Sequence, residues 1–222
     1  MTRTVVLTGA SGNLGRAVAT AFASDGANVV LLDLKSPATK QTFIQTDLLD
    51  AQSVQAAAEQ TVQRFGRVDV LCNLAGGFRM GAPVHETSPQ DWDFLFNLNA
   101  RTVLHTAKAF VPAMLKGGGG KIVNVGAFAA QKGLAGMGAY GAAKGAVIRL
   151  TEAMAAELRE KNINVNCVLP TIIDTPENRA AMPDADPSRW VGPEDLASAI
   201  AFLASDGARA IHGAALPVTA LS

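Results

Sequence analysis

Tyr140 and Lys144 set a phenol and an ammonium four residues apart in the run GAYGAAKGAV. On a helix, positions i and i+4 share a face, so the lysine can stand beside the phenol instead of pointing away from it. A free tyrosine holds its proton up to a pKa of about 10, and a neighbouring cation stabilises the phenolate and draws the group toward the range useful for proton transfer. Tyr140 is the only tyrosine in the chain. The same spacing recurs by accident in ordinary helices, where one half-buried tyrosine and one solvated lysine do no chemistry. The elements that would position the pair therefore carry the argument.

Residues 4–8, TVVLT, form an unbroken apolar and β-branched run that stops at Gly9. Leu14, Val18, Ala21 and Phe22 then recur at helical spacing over 13–24. Between strand and helix lies Gly9-Ala10-Ser11-Gly12-Asn13-Leu14-Gly15, a G-x-x-G-x-x-G turn. Its glycines let the backbone turn tightly and approach a ligand, while the helix start offers free N–H groups and a positive dipole end to a pyrophosphate. The next strand, 27–32, runs into Asp33, where a carboxylate would accept hydrogen bonds from the adenosine ribose and repel a 2′-phosphate. NAD(H) is thus expected ahead of NADP(H), with Lys35 leaving room for the latter.

Further strands read at 42–46, 68–74, 121–125, 163–169 and 214–218, and helices at 51–65, 89–116 (one long or two abutting), 137–161 and 193–204. Seven strands alternating with helices predict an α/β fold over 1–222: one Rossmann-like domain, a doubly wound seven-stranded parallel sheet with helices on both faces. The stretch 34–42, with Pro37, is too short for a crossover helix. Asp47 and Leu48 follow the third strand, either as an edge touching adenine or with Asp47 capping the next helix. Small residues close the fourth strand at Asn73-Leu74-Ala75-Gly76, again suiting close approach to a cofactor, and Asn99 falls in the middle of 89–116. Gly117–Gly120 reads as a flexible linker. The Pro-, Asp-, Asn- and Met-containing stretch 171–190 reads as a mobile substrate lid.

Nineteen basic and nineteen acidic residues cancel, and no run of like charge appears, so neither nucleic acid nor an anionic membrane is an expected partner. A small molecule is. The first strand starts too early to leave room for a leader, and no apolar run is long enough to span a bilayer, so a soluble cytoplasmic protein is expected. Cys72 and Cys167 lie in apolar strand-like runs and read as buried free thiols, and no metal-ligand cluster is visible.

Taken together, the glycine turn, Asn73-Leu74-Ala75-Gly76, Asn99 and Tyr140-x-x-x-Lys144 resemble the short-chain dehydrogenase/reductase family over essentially the whole chain. The resemblance implies that Tyr140 donates the proton, that Lys144 holds the nicotinamide ribose and lowers the tyrosine pKa, and that Asn99 supports a relay water. It also implies that Pro170, Ile173 and Thr175 contact the cofactor and that the long helices flanking Gly117–Gly120 build a homodimer or homotetramer. One departure stands out. Family members that reduce carbonyls carry a serine thirteen residues before the tyrosine, and that position is Ala127 here. Ala75-Gly76-Gly77-Phe78, the surroundings of Tyr140 and 168–190 look like the dihydropteridine reductase branch, which shares the alanine. That branch implies a quinonoid dihydropterin as substrate. A 3-oxoacyl or small-ketone reductase, and a dinucleotide sensor without turnover, are the alternatives.

Overall fold

The computed structural model describes residues 2–222. Strands β1 (Thr4–Thr8), β2 (Asn28–Asp33), β3 (Thr42–Gln45), β4 (Val70–Asn73), β5 (Gly120–Val125), β6 (Ile163–Pro170) and β7 (Ala215–Val218) form one sheet in the order β3-β2-β1-β4-β5-β6-β7. Every pairing is parallel. Such a sheet is covered on both faces, so its central strands are apolar without alternation, and β1, β4 and β6 are buried along their whole length.

Side chains alternate between two cores. Val5 and Leu7 of β1 pack with Val18 and Phe22 of α1 (Asn13–Ser24) and with Leu196 and Ile200 of α7 (Pro193–Leu203). Val6 points the other way, into a core with Val54 of α2 (Ala51–Phe65), Phe110 and Met114 of α4 (Thr102–Lys116) and Ala155 of α5 (Gly138–Leu158). The chain winds from β1 outward to β3, then returns to the centre at β4 and winds the other way. That reversal opens a crevice between the C-terminal ends of β1 and β4, where open α/β sheets bind ligands.

Two local expectations are corrected. Gly117–Gly120 is not a loose linker: Gly120 opens β5, and a Cβ on Gly119 or Gly120 would meet Asn162, or Met114 and the Asp69 carbonyl, at 2.4–2.8 Å. These glycines are a packing requirement. The stretch 171–190 is also more structured than its composition suggests. It holds α6 (Pro176–Ala181), a fork of two hydrogen bonds from Arg179 to Asp174 at 2.6 and 2.7 Å, and a parallel bridge from Ile173 to Val191. Residues 89–116 resolve into α3 (Pro89–Phe96) and α4, joined by a π turn at Asn97–Arg101. Residues 34–41 cross from β2 to β3 without a helix.

The crevice depends on Gly9, which has φ +63° and whose Cβ would lie 2.7 Å from Ala75 Cα. Both the backbone conformation and the space demand glycine. Gly9→Ala is expected to lower stability by about 1–3 kcal/mol, read as a shift in the urea midpoint. An unchanged midpoint would show that the β1 and β4 loops are not in this register.

Candidate active site

A cleft of about 1140 Å³ follows the C-terminal edge of the sheet, lined by residues after β1, β2, β3, β4, β5 and β6. The Thr8 hydroxyl accepts hydrogen bonds from the Leu74 and Ala75 amides at 3.1 and 3.2 Å, so the two central loops are fixed to each other. Gly15 lies against the start of the same turn, where a Cβ would come within 2.5 Å of the Gly9 carbonyl. Bare backbone thus meets bare backbone at the start of α1, leaving the first helical N–H groups for an anion.

Asp33, at the tip of β2, lines the cleft and accepts from the Ser11 amide at 2.9 Å and from the Leu34 amide at 2.7 Å. Gly9, Gly12, Asn13, Leu14, Gly15, Asp33, Asp47, Leu48, Ala75, Gly76, Tyr140, Lys144, Pro170, Ile173 and Thr175 all lie on the cleft wall. Three expected residues do not. Ser11 faces the β2 tip, its hydroxyl donating to the Lys35 carbonyl. Asn73 is buried behind the wall, donating to Asn124 and accepting from Thr106, which ties β4 to β5 and α4. Asn99 is 1% exposed, and its amide bonds both backbone groups of Gly77 and the Leu95 carbonyl. The π turn gives Asn99 this orientation; such bulges are frequent at functional sites. Asp47 does not cap α2. Asp50 does, accepting from the Gln52 amide, while Asp47 accepts from Leu49.

On α5, Lys144 is only 5% exposed and donates to the Val125 carbonyl at 2.8 Å. Burial draws its ammonium down to about 8. Tyr140 presents its ring edge to Phe78, with centroids 5.0 Å apart at 90°, and burial pushes its phenol up to about 12. The expected lowering of the tyrosine by the lysine is therefore absent here: removal from water opposes the charged form of each group. Among the described residues no hydrogen bond engages the Tyr140 hydroxyl. Ala127 is buried beside the site, at the start of a 3-10 turn, Phe128–Gln131. The bracing role of Thr8 and the acceptor role of the Val125 carbonyl carry no sequence motif, since both depend on which loops the sheet brings together.

One further contact frames the cleft. Asn13 donates to the Glu177 carboxylate at 2.8 Å, connecting the glycine turn to α6. Cys72 and Cys167 are buried and free. Among the described residues no helix is long and apolar enough to cross a membrane. The glycine cradle, the exposed helix start and the Asp33 carboxylate together fit a dinucleotide.

A family model described as short chain dehydrogenase matches residues 3–186. A D-threitol dehydrogenase of Mycolicibacterium smegmatis is 34% identical, over 97% of this chain and 91% of that protein. A 3-oxoacyl-(acyl-carrier-protein) reductase of Thermotoga maritima is 32% identical, over 94% of this chain and 92% of that protein. The structure of an NAD+-bound xylitol dehydrogenase superposes with a TM-score of 0.89 at 27% identity, covering 98% of each chain.

The Lys144 shift has a stability consequence. Its folded pKa, about 8, lies below its ordinary 10.5, so the folded state carries the cost of a buried cation fully below pH 8. That cost fades as pH rises from 8 toward 10.5. Lys144→Met is expected to stabilise the ligand-free protein by about 1–3 kcal/mol at pH 7, less the lost bond to Val125. The gain should shrink toward zero or reverse by about pH 10.5. Parallel urea melts at the two pH values check this; a difference independent of pH would mean that Lys144 is not buried as a cation.

Proposed function

The chain belongs to the short-chain dehydrogenase family and is an NAD(P)-dependent oxidoreductase; from that premise we propose that it exchanges a hydride with the carbonyl or carbinol carbon of a small molecule, Tyr140 handling the proton. The observation that carries the reading is the Tyr140 hydroxyl, free of internal partners on the cleft wall and one helical turn from the buried Lys144. The bound nicotinamide would supply the hydride in reduction and take it up in oxidation. Gly9, Gly12 and Gly15 would hold the pyrophosphate at the start of α1, and Asp33 the adenosine ribose.

In reduction, the electron pair displaced from the carbonyl bond leaves charge on oxygen, and Tyr140 neutralises it by giving up its proton. With its pKa near 12, Tyr140 is fully protonated at neutral pH and ready for that role. Lys144, still largely charged at pH 7, then faces a phenolate that it stabilises. The Asp33 carboxylate supports NADH over NADPH, since a 2′-phosphate there would face a negative charge. Residues 171–190 act as the lid over the substrate, and small residues along α5 suit a homodimer or homotetramer, a state that light scattering would reveal.

A second reading is favoured by Ala127. A conjugated ring that accepts hydride readily, such as a quinonoid dihydropterin, needs no hydroxyl clamp on a carbonyl oxygen. Relatives bearing alcohol dehydrogenase and ketoreductase names support the first reading ahead of it. NADH oxidation against ketones, the corresponding alcohols with NAD, and quinonoid dihydropterin separates the two. Tyr140→Phe is expected to cut turnover by about 10²-fold or more while leaving NADH affinity within about threefold. Ala127→Ser is expected to raise ketone turnover by about tenfold or more. Ketone turnover indifferent to both substitutions would remove the proposed proton path.

A further inference from the structure

The cleft surface is mostly apolar, and nearly all of its polar side chains are already engaged. Thr46 and Thr102 donate to the carbonyls of Ile44 and Leu98, Thr171 donates to the Thr219 carbonyl, and Asn178 donates to that of Ile173. Asn13 and Lys144 are bonded as described, and Thr175 caps α6. Apart from Tyr140, two cleft-lining side chains with donors remain: Gln131 and Lys132. Both are exposed, and among the described residues neither side chain has a hydrogen bond or ion pair.

Their position gives this meaning. Gln131 closes the 3-10 turn that begins beside Ala127, so this pair follows directly on the segment where a hydroxyl is lacking. The cleft's two carboxylates, Asp33 and Asp47, stand at the β2 and β3 tips, on the far side of β1 from this turn. Much of the cleft wall is apolar, with Phe78 against the Tyr140 ring and with Phe128, Leu134, Met137 and Met182. Phe78, Phe128 and Leu134 are exposed, an apolar surface that a ligand body would cover.

We propose that Gln131 and Lys132 form a recognition site for a carboxylate on the substrate, making the substrate an oxo or hydroxy acid with an apolar body. One ammonium with one neutral amide balances a single negative charge, which matches a carboxylate better than a phosphate dianion. The proposal rests on the oxidoreductase reading for the nature of the reacting carbon, but the carboxylate site itself is a binding claim.

The experiment therefore measures binding and turnover separately. Benzoylformate and benzoylpropionate, with their neutral amides, are titrated calorimetrically into the full chain saturated with NAD+, and reduction of each by NADH is followed in parallel. At least one carboxylate should bind about fivefold or more tightly than its amide, a preference that weakens at about 0.5 M salt. Lys132→Gln should bring that ratio to about one, Lys132→Arg should keep it, and Gln131→Ala should weaken the acid about two- to fivefold. Equal binding of acid and amide, no binding by any of the four, or a preference that survives Lys132→Gln overturns the proposal. A carboxylate preference that depends on Lys132 without turnover of any probe would support the site and count against the reaction proposed above.

Discussion

The site is organised around a cation held almost out of water. Lys144 reaches from α5 to the carbonyl at the end of β5, passing close to residue 76, which has no side chain. A Cβ on Gly76 would fall 2.8 Å from Asn99 Oδ1 and 3.0 Å from the Lys144 ammonium. Three elements therefore converge on one glycine: the β4 end, the π turn and α5. The penalty for burying the ammonium is borne by a fold whose two apolar cores are made elsewhere, along the middle of the sheet.

The same economy of side chains recurs at the crevice. Parallel strands that end together would leave unpaired backbone groups at their tips, and several of these are satisfied by neighbouring loops: the Leu74 and Ala75 amides by Thr8, the Ser11 and Leu34 amides by Asp33. Asp33 thus has a structural job as well as a ligand-facing one. Its carboxylate orients the glycine turn that begins α1, so a substitution there would alter loop geometry together with nucleotide preference. The bond from Asn13 to Glu177 extends this coupling to α6, placing a carboxylate of that helix next to the start of α1.

Much of this was legible in the residues because the signals were local. An apolar β-branched run, a glycine turn and a 3.6-residue pattern specify β1, the turn and α1 with little help from the rest of the chain, and the expected bounds of both elements hold. The contacts that decide each side chain's role were not local. Asn73 and Asn99 occupy the expected strand end and helix middle, but only the packing of α4 and the π turn shows their amides spent on Asn124, Thr106 and Gly77. Gly119 and Gly120 look like linker glycines until Asn162, Met114 and Asp69 are brought against them by the pairing of β5 with its neighbours. In 171–190 composition pointed to mobility, whereas the Asp174–Arg179 fork and the bridge to Val191 give the stretch its own order.

Spacing was also a poor guide to acidity. Tyr140 and Lys144 have similar ordinary pKa values, so a simple pairing argument makes the ammonium pull the phenol down. Burial acts on both first, and in opposite directions: the lysine falls to about 8 and the tyrosine rises to about 12. Without a ligand, the lysine therefore surrenders its proton before the tyrosine does, and a phenolate–ammonium pair is not the resting state at any pH between those values. The resting tyrosine is protonated, the state that the proposed reduction requires. Alcohol oxidation would need a base, and Tyr140 can serve as one only if a bound ligand stabilises its phenolate with hydrogen bonds that this cleft does not itself provide. The protonation state of the ligand-free pair is thus set by desolvation, and any phenolate would depend on what bound molecules bring with them.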